Sequence, residues 1–483
     1  MNPSLIELLL LSLVAPVWGN STSSLSIVIP TSNDGDVVDV DFPGFGFEEA
    51  SFVDYVLDSD GSTNEFSVNL IEAITNRTGG RPIIRLGGTS ADYAKYISNQ
   101  TTPALPLAVE YEDDYVGGTT IGPAYWALAS LFPTARYMVQ VPLATTDINE
   151  TITWVQTALD IIGEDQIYSF ELGNEPDWYS ETYTGNAGYL GPPDWQGTFT
   201  NETYVGNYTE YVKAIVESVS GLPNDGKIFQ AFDTAAHVAA YSAILCYKLD
   251  VGTCFDLGID DGGYITTVAH HYYQNAGGQA DDLASGLMGL GHVLTHSREL
   301  GIARVNYQQM LAYNYQPIMW LPIEYLGESP HVTANYYSQP LIADFIGSSG
   351  TTTMTKLNIT SDEEVANVSA YAAFEDGTPK RVAVVNLDYW NQTSSGTSRP
   401  SVSIHLLIPS ELGVKSVTVD YLSSPLGAGA AADTVTYAGS QWTYESLGKE
   451  VTGVRNDTET VAVVEDVATI TVNSSSAALI SLF

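Results

Sequence analysis

The sequence has little positive charge: 17 Lys and Arg stand against 57 Asp and Glu in 483 residues, a formal net charge of −40. A nucleic-acid binder must replace phosphate counterions with clustered Lys and Arg, so that role is excluded. The same imbalance repels sulfated polyanions and anionic membrane surfaces. Cysteine is nearly absent, with only Cys246 and Cys254. A framework of several disulfides is excluded. In an exported chain these two would form one local bridge, with two buried thiols as the alternative. Beyond residue 19 no stretch is long and apolar enough to cross a membrane. Charged residues make up 15% and hydrophobic residues 44%, so a large core is available and wholesale disorder is excluded.

What is present begins with residues 1–19. The run Leu8-Leu9-Leu10-Leu11-Ser12-Leu13-Val14-Ala15 precedes Pro16-Val17-Trp18-Gly19. Its apolar core is too short for a membrane span and small residues follow it, as in a secretory signal peptide. No Lys or Arg precedes it, and Glu7 lies within it. Eleven Asn-X-Ser/Thr sites agree with export: Asn20, Asn76, Asn99, Asn149, Asn201, Asn207, Asn358, Asn367, Asn391, Asn456 and Asn473. The expectation is a secreted, extracellular glycoprotein. Thirty Tyr, eight Trp and 14 Phe suit stacking on sugar rings, although buried aromatics are the commoner fate.

Residues 20–41 read as short N-terminal strands that join a β-sandwich, since two strands do not stand alone. From 42 to 347, strand patterns at Phe42–Glu48, Pro82–Gly88, Arg136–Leu143, Ile167–Glu175, Lys227–Phe232, Tyr264–Tyr273 and Arg304–Gln309 alternate with helical ones. The helical patterns include Asn64–Thr78, Thr151–Ile162, Tyr204–Ser218 and Leu283–Leu300. This α/β repetition argues for a (β/α)8 TIM-type barrel, with one strand–helix unit short of eight. Residues 351–483 alternate with period two between Gly and Ser turns, which argues for a C-terminal all-β sandwich.

The sharpest local signal is Phe170-Glu171-Leu172-Gly173-Asn174-Glu175-Pro176, closing the fourth strand pattern. Reactive residues of TIM barrels sit at the carboxyl ends of strands. A carboxyl beside a carboxamide serves glycoside chemistry: one protonates the leaving oxygen and the other hydrogen-bonds a sugar hydroxyl. A surface turn with a solvated Glu is the competing reading. In His270-His271-Tyr272, alternation puts His270 and Tyr272 on one strand face, where packed core histidines are nearly as good an account. No third ligand stands at metal spacing, so no zinc site, and no cofactor of any kind, is expected. Arg85 at a strand end is either a site residue or an internal ion pair. Trp178 and Trp195 are candidate sugar platforms or core.

The Gly-Asn-Glu-Pro strand end resembles clan A glycoside hydrolases. With Gly44-Phe45-Gly46-Phe47-Glu48, Ile84-Arg85-Leu86-Gly87-Gly88-Thr89, Ile121-Gly122-Pro123, His270-His271-Tyr272-Tyr273, Tyr336-Tyr337, Ala343-Asp344-Phe345 and the terminal β-domain, the chain resembles glycoside hydrolase family 79, the β-glucuronidase and heparanase-like enzymes. The resemblance covers most of the residues after the leader. It implies Glu175 as the acid/base, Asn174 as the ligand of the 2-hydroxyl, Tyr272 as a partner of the nucleophile and His270 as a supporting residue. It also implies a carbohydrate substrate.

The resemblance fails at one place. Retaining glycosidases need a second carboxylate about 5–5.5 Å from the first, and the clan carries it at the end of strand seven. Between the strand patterns at 264–273 and 304–309 there is room for a single crossover, occupied by the helix at 283–300. Asp281 and Asp282 lie there, Glu299 is in the helix, and Glu324 and Glu328 follow the last strand. Tyr307-Gln308-Gln309 also departs from relatives, which tend to carry His before the Gln. Three explanations compete: missing coding sequence between Gln274 and Ala284, a genuine non-catalytic relative, or substitution by Asp282 or Glu324. The functional readings are accordingly a secreted retaining β-glucuronidase, a silent carbohydrate-binding relative, and another clan A glycosidase.

Overall fold

Apolar runs bounded by Gly and Pro become parallel strands, and amphipathic runs become the helices between them. The computed structural model describes residues 23–33, 35–92, 94–106, 119–143, 147–179, 200–235, 249–271, 282–299, 302–309, 316–321, 329–361, 367–396 and 398–482. After an N-terminal strand β1 (Ser23–Val28) come β2 (Pro43–Glu48), β3 (Ile83–Gly87), β4 (Arg136–Val141), β5 (Ile167–Leu172), β6 (Phe229–Thr234), β7 (Ile265–His270) and β8 (Val305–Gln309). These last seven form one sheet in the order β7-β6-β5-β4-β3-β2-β8, with every neighbouring pair parallel.

Helices α1 (Glu65–Thr78), α2 (Ile148–Ile162) and α3 (Asn201–Ser218) cross between successive strands. Each starts at a side chain that accepts a free amide: Asn64 from Ser67, Asp147 from Asn149, Thr200 from Thr203. Their apolar faces, including Ile74, Trp154, Val155, Tyr208 and Ile215, enter the core around the sheet.

The inner strands are buried on both faces. All residues of β2 and β3 are buried, as expected where helices cover a parallel sheet. The edges differ. In β7, Thr266, Val268 and His270 are exposed and alternate with more buried residues. β8 is only half-buried apart from Gln309. Among the described residues β7 and β8 pair with each other neither directly nor through an eighth strand, so the curled sheet has a seam there. The one described helix between them, α4 (Leu283–Glu299), starts with the amides of Leu283 and Ala284 bound to the carbonyls of Ala430 and Ala428. It packs on α5 (Ser338–Ile346) and the turn before it, not over the seam.

The C-terminal unit holds two sheets. Strands β9 (Thr353–Lys356), β10 (Ile359–Ser361), β11 (Val368–Glu375), β12 (Thr378–Asn386), β13 (Ser401–Leu407), β14 (Ser416–Ser423), β15 (Thr436–Tyr437), β16 (Thr458–Ala462), β17 (Val467–Asn473) and β18 (Ser476–Leu482) build it. One sheet runs β10-β1-β13-β17 and the other β9-β11-β12-β18-β14-β15, with β16 also on β14. β1 lies parallel to β13, and Val37 adds a single bridge to Thr353. Leu25, Ile27, Val384, Ile404, Ile470 and Ile480 form the core between the sheets.

Cys254 is a buried free thiol whose sulfur faces Asn201 Oδ1 at 3.5 Å. The expected bridge is therefore not formed at Cys254: its thiol is turned to α3 and donates to a carboxamide there. Cys246 lies outside the described residues. No described helix is long and apolar enough to cross a membrane.

Candidate active site

The turn after β5 is built by two left-handed residues. Gly173 has φ 80° and Glu175 φ 48°. A Cβ on Gly173 would lie 2.8 Å from Leu143 Cβ, so only glycine fits and adopts that conformation without strain. Pro176 then opens a short 3₁₀ turn, Pro176–Trp178. The Glu175 amide donates to the Asp233 carbonyl at 2.9 Å. The Asn174 amide donates to Asp92 Oδ1 (3.3 Å) and to the Tyr179 hydroxyl (3.2 Å), and that hydroxyl donates to Asp92 Oδ1 (2.7 Å). The turn is thus pinned from β6 and from the end of β3.

Beneath it lies a buried polar floor. Arg85 Nε donates to Glu171 Oε2 at 2.7 Å, and its NH2 group reaches Glu171 Oε1 as well. The same NH2 donates to Asn174 Oδ1 at 2.9 Å, and NH1 to Gln308 Oε1 at 3.2 Å. Gln308 in turn donates to Glu48 Oε2 at 3.3 Å. Gly46 makes this crossing possible, because a Cβ there would stand 2.3 Å from Gln308 Oε1. Arg85 therefore forms an internal ion pair and also holds Asn174 Oδ1. Burial opposes its charge, but Glu171 outweighs burial and holds the guanidinium firmly protonated. Removing one partner of such a pair costs about 3–5 kcal/mol, because the other is stranded without water.

Around this cation four carboxyl groups, Glu48, Asp92, Asp177 and Asp233, resist ionisation. Burial pushes Glu48 up against the hydrogen bonds from Ser90 and lifts Asp92 well above the usual carboxylate range. Burial also pushes Asp177 up to about 8, despite the Ala235 amide that its Oδ1 accepts. Asp233 is raised by burial and by the charge of Glu171.

Glu175 is half-buried, and its Oε1 lies 2.8 Å from His271 Nδ1. The His271 amide donates to the Thr234 carbonyl, which ties the end of β7 to β6. This corrects the assignment of His270. Thr267 Oγ1 points inward to Gln230 Oε1 at 3.0 Å, so alternation carries Ala269 and His271 to the inner face and leaves His270 exposed on the other. Tyr272, expected to partner the nucleophile, lies outside the described residues, as do Trp195 and the side chain of Trp178. Asp282 caps α4, accepting from the Ser285 amide at 2.8 Å, and is not placed as a nucleophile. Glu324 and Glu328 lie outside the described residues.

A bulge separates the pairs Ala269–Phe232 and His270–Thr234, leaving Asp233 opposite no residue. Phe232 and Asp233 both have positive φ, 79° and 41°. One carboxylate oxygen each of Glu171 and Asp233 and one ring nitrogen of His271 lie within 4.8 Å of one another. Arg85 already occupies both Glu171 oxygens, so a cation would compete there with a guanidinium. Sequence reasoning passed over His271, Asp92, Glu171, Gln230 and Asp233. The available signal was a Glu inside Ser-Phe-Glu-Leu and a Gln inside Phe-Gln-Ala-Phe-Asp, polar residues in otherwise apolar strands.

Residues 370–479 match the glycosyl hydrolase family 79 C-terminal beta domain. A β-glucuronidase of Aspergillus niger is 23% identical over 502 residues, spanning 91% of this chain and 90% of its own. The chain carries the C-terminal β-domain of glycoside hydrolase family 79 and is similar over most of its length to a fungal β-glucuronidase. A β-glucuronidase of Neurospora crassa is 22% identical over 454 residues, 76% of this chain and 78% of its own. Among solved structures, a 4-O-α-L-rhamnosyl-β-D-glucuronidase from Fusarium oxysporum superposes with TM-score 0.73 at 16% identity, covering 95% of this chain and all of that one. A family 51 α-L-arabinofuranosidase from Bifidobacterium longum gives TM-score 0.57 at 13% identity. These likenesses show the fold: a curled parallel sheet with a C-terminal β-domain, and in this chain the Gly-Asn-Glu-Pro turn follows the fourth strand of that sheet.

Proposed function

We propose that this family 79 chain is a glycoside hydrolase that releases β-linked glucuronic acid from glycans or small glucuronides, and that it does so outside the cell. The observation that carries the reading is Glu175. It ends the fourth barrel strand in a glycine-dependent turn, next to a carboxamide that Arg85 holds, and has one carboxylate oxygen on His271. A carboxyl in that setting protonates the glycosidic oxygen and then takes the proton from the attacking water. Asn174 is oriented for a sugar hydroxyl. The two relatives named β-glucuronidase support the choice of sugar. The strong negative charge favours sparsely charged glycans over heparan-type polyanions.

The retaining form of this reaction requires a second carboxylate at the seam, where no described strand stands. An additional strand–helix unit between β7 and β8 would supply it. Export is supported by the apolar leader and by the accessibility of the sequons. Asn76, Asn99, Asn149, Asn358, Asn367, Asn456 and Asn473 are exposed, and Asn201, Asn207 and Asn391 half-buried.

The test is hydrolysis of a nitrophenyl β-glucuronide beside a panel of other nitrophenyl glycosides. Glu175→Gln should lower turnover at least 10²-fold, the low end for loss of a general acid, with unchanged thermal unfolding. Full activity in that variant removes the assignment.

A further inference from the structure

Asp233 Oδ2 and His271 Nε2 are among the buried polar atoms of the site with no hydrogen-bond partner among the described residues, as are Asp92 Oδ2 and Asp177 Oδ2. The other polar atom of each side chain is engaged. Gln230 Nε2 donates to Asp233 Oδ1 at 2.5 Å, and His271 Nδ1 meets Glu175 Oε1 at 2.8 Å. A carboxylate oxygen of Asp233 and a ring nitrogen of His271 lie within 4.8 Å, a gap that one bridging water can span. Asp233 is 2% exposed and is held in the site by the bulge. Left-handed residues of that kind persist only where the surroundings fix them.

We propose that Asp233 acts through His271 on Glu175, as a positioning residue that sets the pH above which Glu175 gives up its role as general acid. The proposal rests on reading Glu175 as the acid/base. While Asp233 is neutral, Oδ1 accepts from Gln230, so the proton sits on Oδ2 and is offered through a water to His271 Nε2. Nε2 is then an acceptor, the ring carries its proton on Nδ1, and Glu175 keeps its own proton on Oε2 for the leaving oxygen. When Asp233 ionises, its own proton passes through the water to Nε2. The resulting imidazolium favours the ionised form of Glu175, and the acid is lost.

The charged surroundings fix the direction. Asp233 is faced by Glu171 and Glu175 from β5 and its turn, by Arg85 from β3, by His271 after β7 and by Tyr204 and Tyr208 from α3. Asp92 and Asp177 face Glu175. Arg85 is committed to Glu171, so Asp233 loses its proton only well above the carboxylate range, burial being the largest cause.

The experiment is a pH titration of 15N-histidine-labelled whole chain, following His271, with turnover of a nitrophenyl β-glucuronide measured in parallel. In Asp233→Asn the midpoint of His271 protonation should move down by about one pH unit, the low end of what a charge 4–6 Å away does. Glu175→Gln should move it the same way. The alkaline limb of kcat/KM should move up by about one unit in Asp233→Asn, since the brake on Glu175 is gone. Asp233→Ser, which is smaller and cannot ionise, should repeat both shifts. If neither variant folds, a second inflection in the His271 signal of the unaltered chain reads the same coupling, and its absence overturns the proposal. Identical His271 titrations in the unaltered chain and both Asp233 variants overturn it too. A shifted titration in a chain without turnover upholds the proton coupling and overturns the hydrolase reading.

Discussion

Glu48, Asp92, Glu171, Asp177 and Asp233 are all buried around one guanidinium, and that imbalance shapes the protein's response to pH. Burial lifts Asp177 from 3.8 to about 8 and Glu49 from 4.5 to about 8. In the unfolded chain both ionise near their ordinary values; in the folded chain both keep the proton until about pH 8. Between those limits the native state binds more protons, so stability falls as pH rises. Their stabilising contribution is complete below about pH 4 and is lost as pH climbs through 8. The urea midpoint should therefore rise on moving from pH 8 to pH 5, and Asp177→Asn should flatten that rise. A midpoint that falls over the same range would sink the prediction. None of these environments was legible in sequence, because the partners are far apart in the chain: Arg85 and Glu171 are separated by 86 residues. Glu175 and Asn174 were legible because their turn is written in four consecutive residues, Gly173 to Pro176.

At the scale of elements, the strand–turn–helix unit from β5 to Pro176 is where local sequence and function coincide. Gly173→Ala forces a side chain onto Leu143 in a left-handed conformation. We expect it to cost about 1–3 kcal/mol and to lower turnover more than tenfold by displacing Glu175, read by thermal unfolding and the glucuronide assay. Wild-type turnover at reduced stability would show that the turn tolerates the shift. All seven barrel strands were legible as apolar runs punctuated by Gly and Pro, and the helices by their period and caps. The reading failed in β7. Simple alternation from Tyr272 assigned His270 to the site, whereas Thr267 fixes the phase and brings His271 inward. The bulge at Asp233 was equally hidden, because Phe-Gln-Ala-Phe-Asp-Thr carries no Gly or Pro to mark it.

At the scale of the whole molecule, no strand among the described residues pairs the outer edges of β7 and β8. Unpaired strand edges in a sheet that should close are unstable and sticky. Val268 of β7 is 47% exposed, the surface that a further strand–helix unit would cover. We expect the transcript across the codons for Gln274 to Leu290 to carry several dozen further residues that include a Glu, and the chain as written to unfold broadly and secrete poorly. A transcript identical to this sequence, together with one sharp unfolding transition, would overturn that expectation.

The pairing of β1 with β13 binds the first described residues to a strand that begins at Ser401. On a ribosome adding roughly 5–20 residues per second, the segment from Val28 to Ser401 takes roughly 20–75 s to emerge. During that interval the nascent chain carries an orphan strand, Leu25 and Ile27 bare, while the barrel behind it is already able to fold. Synthesis thus imposes a waiting period on the amino terminus, and the last sixth of the message ends it.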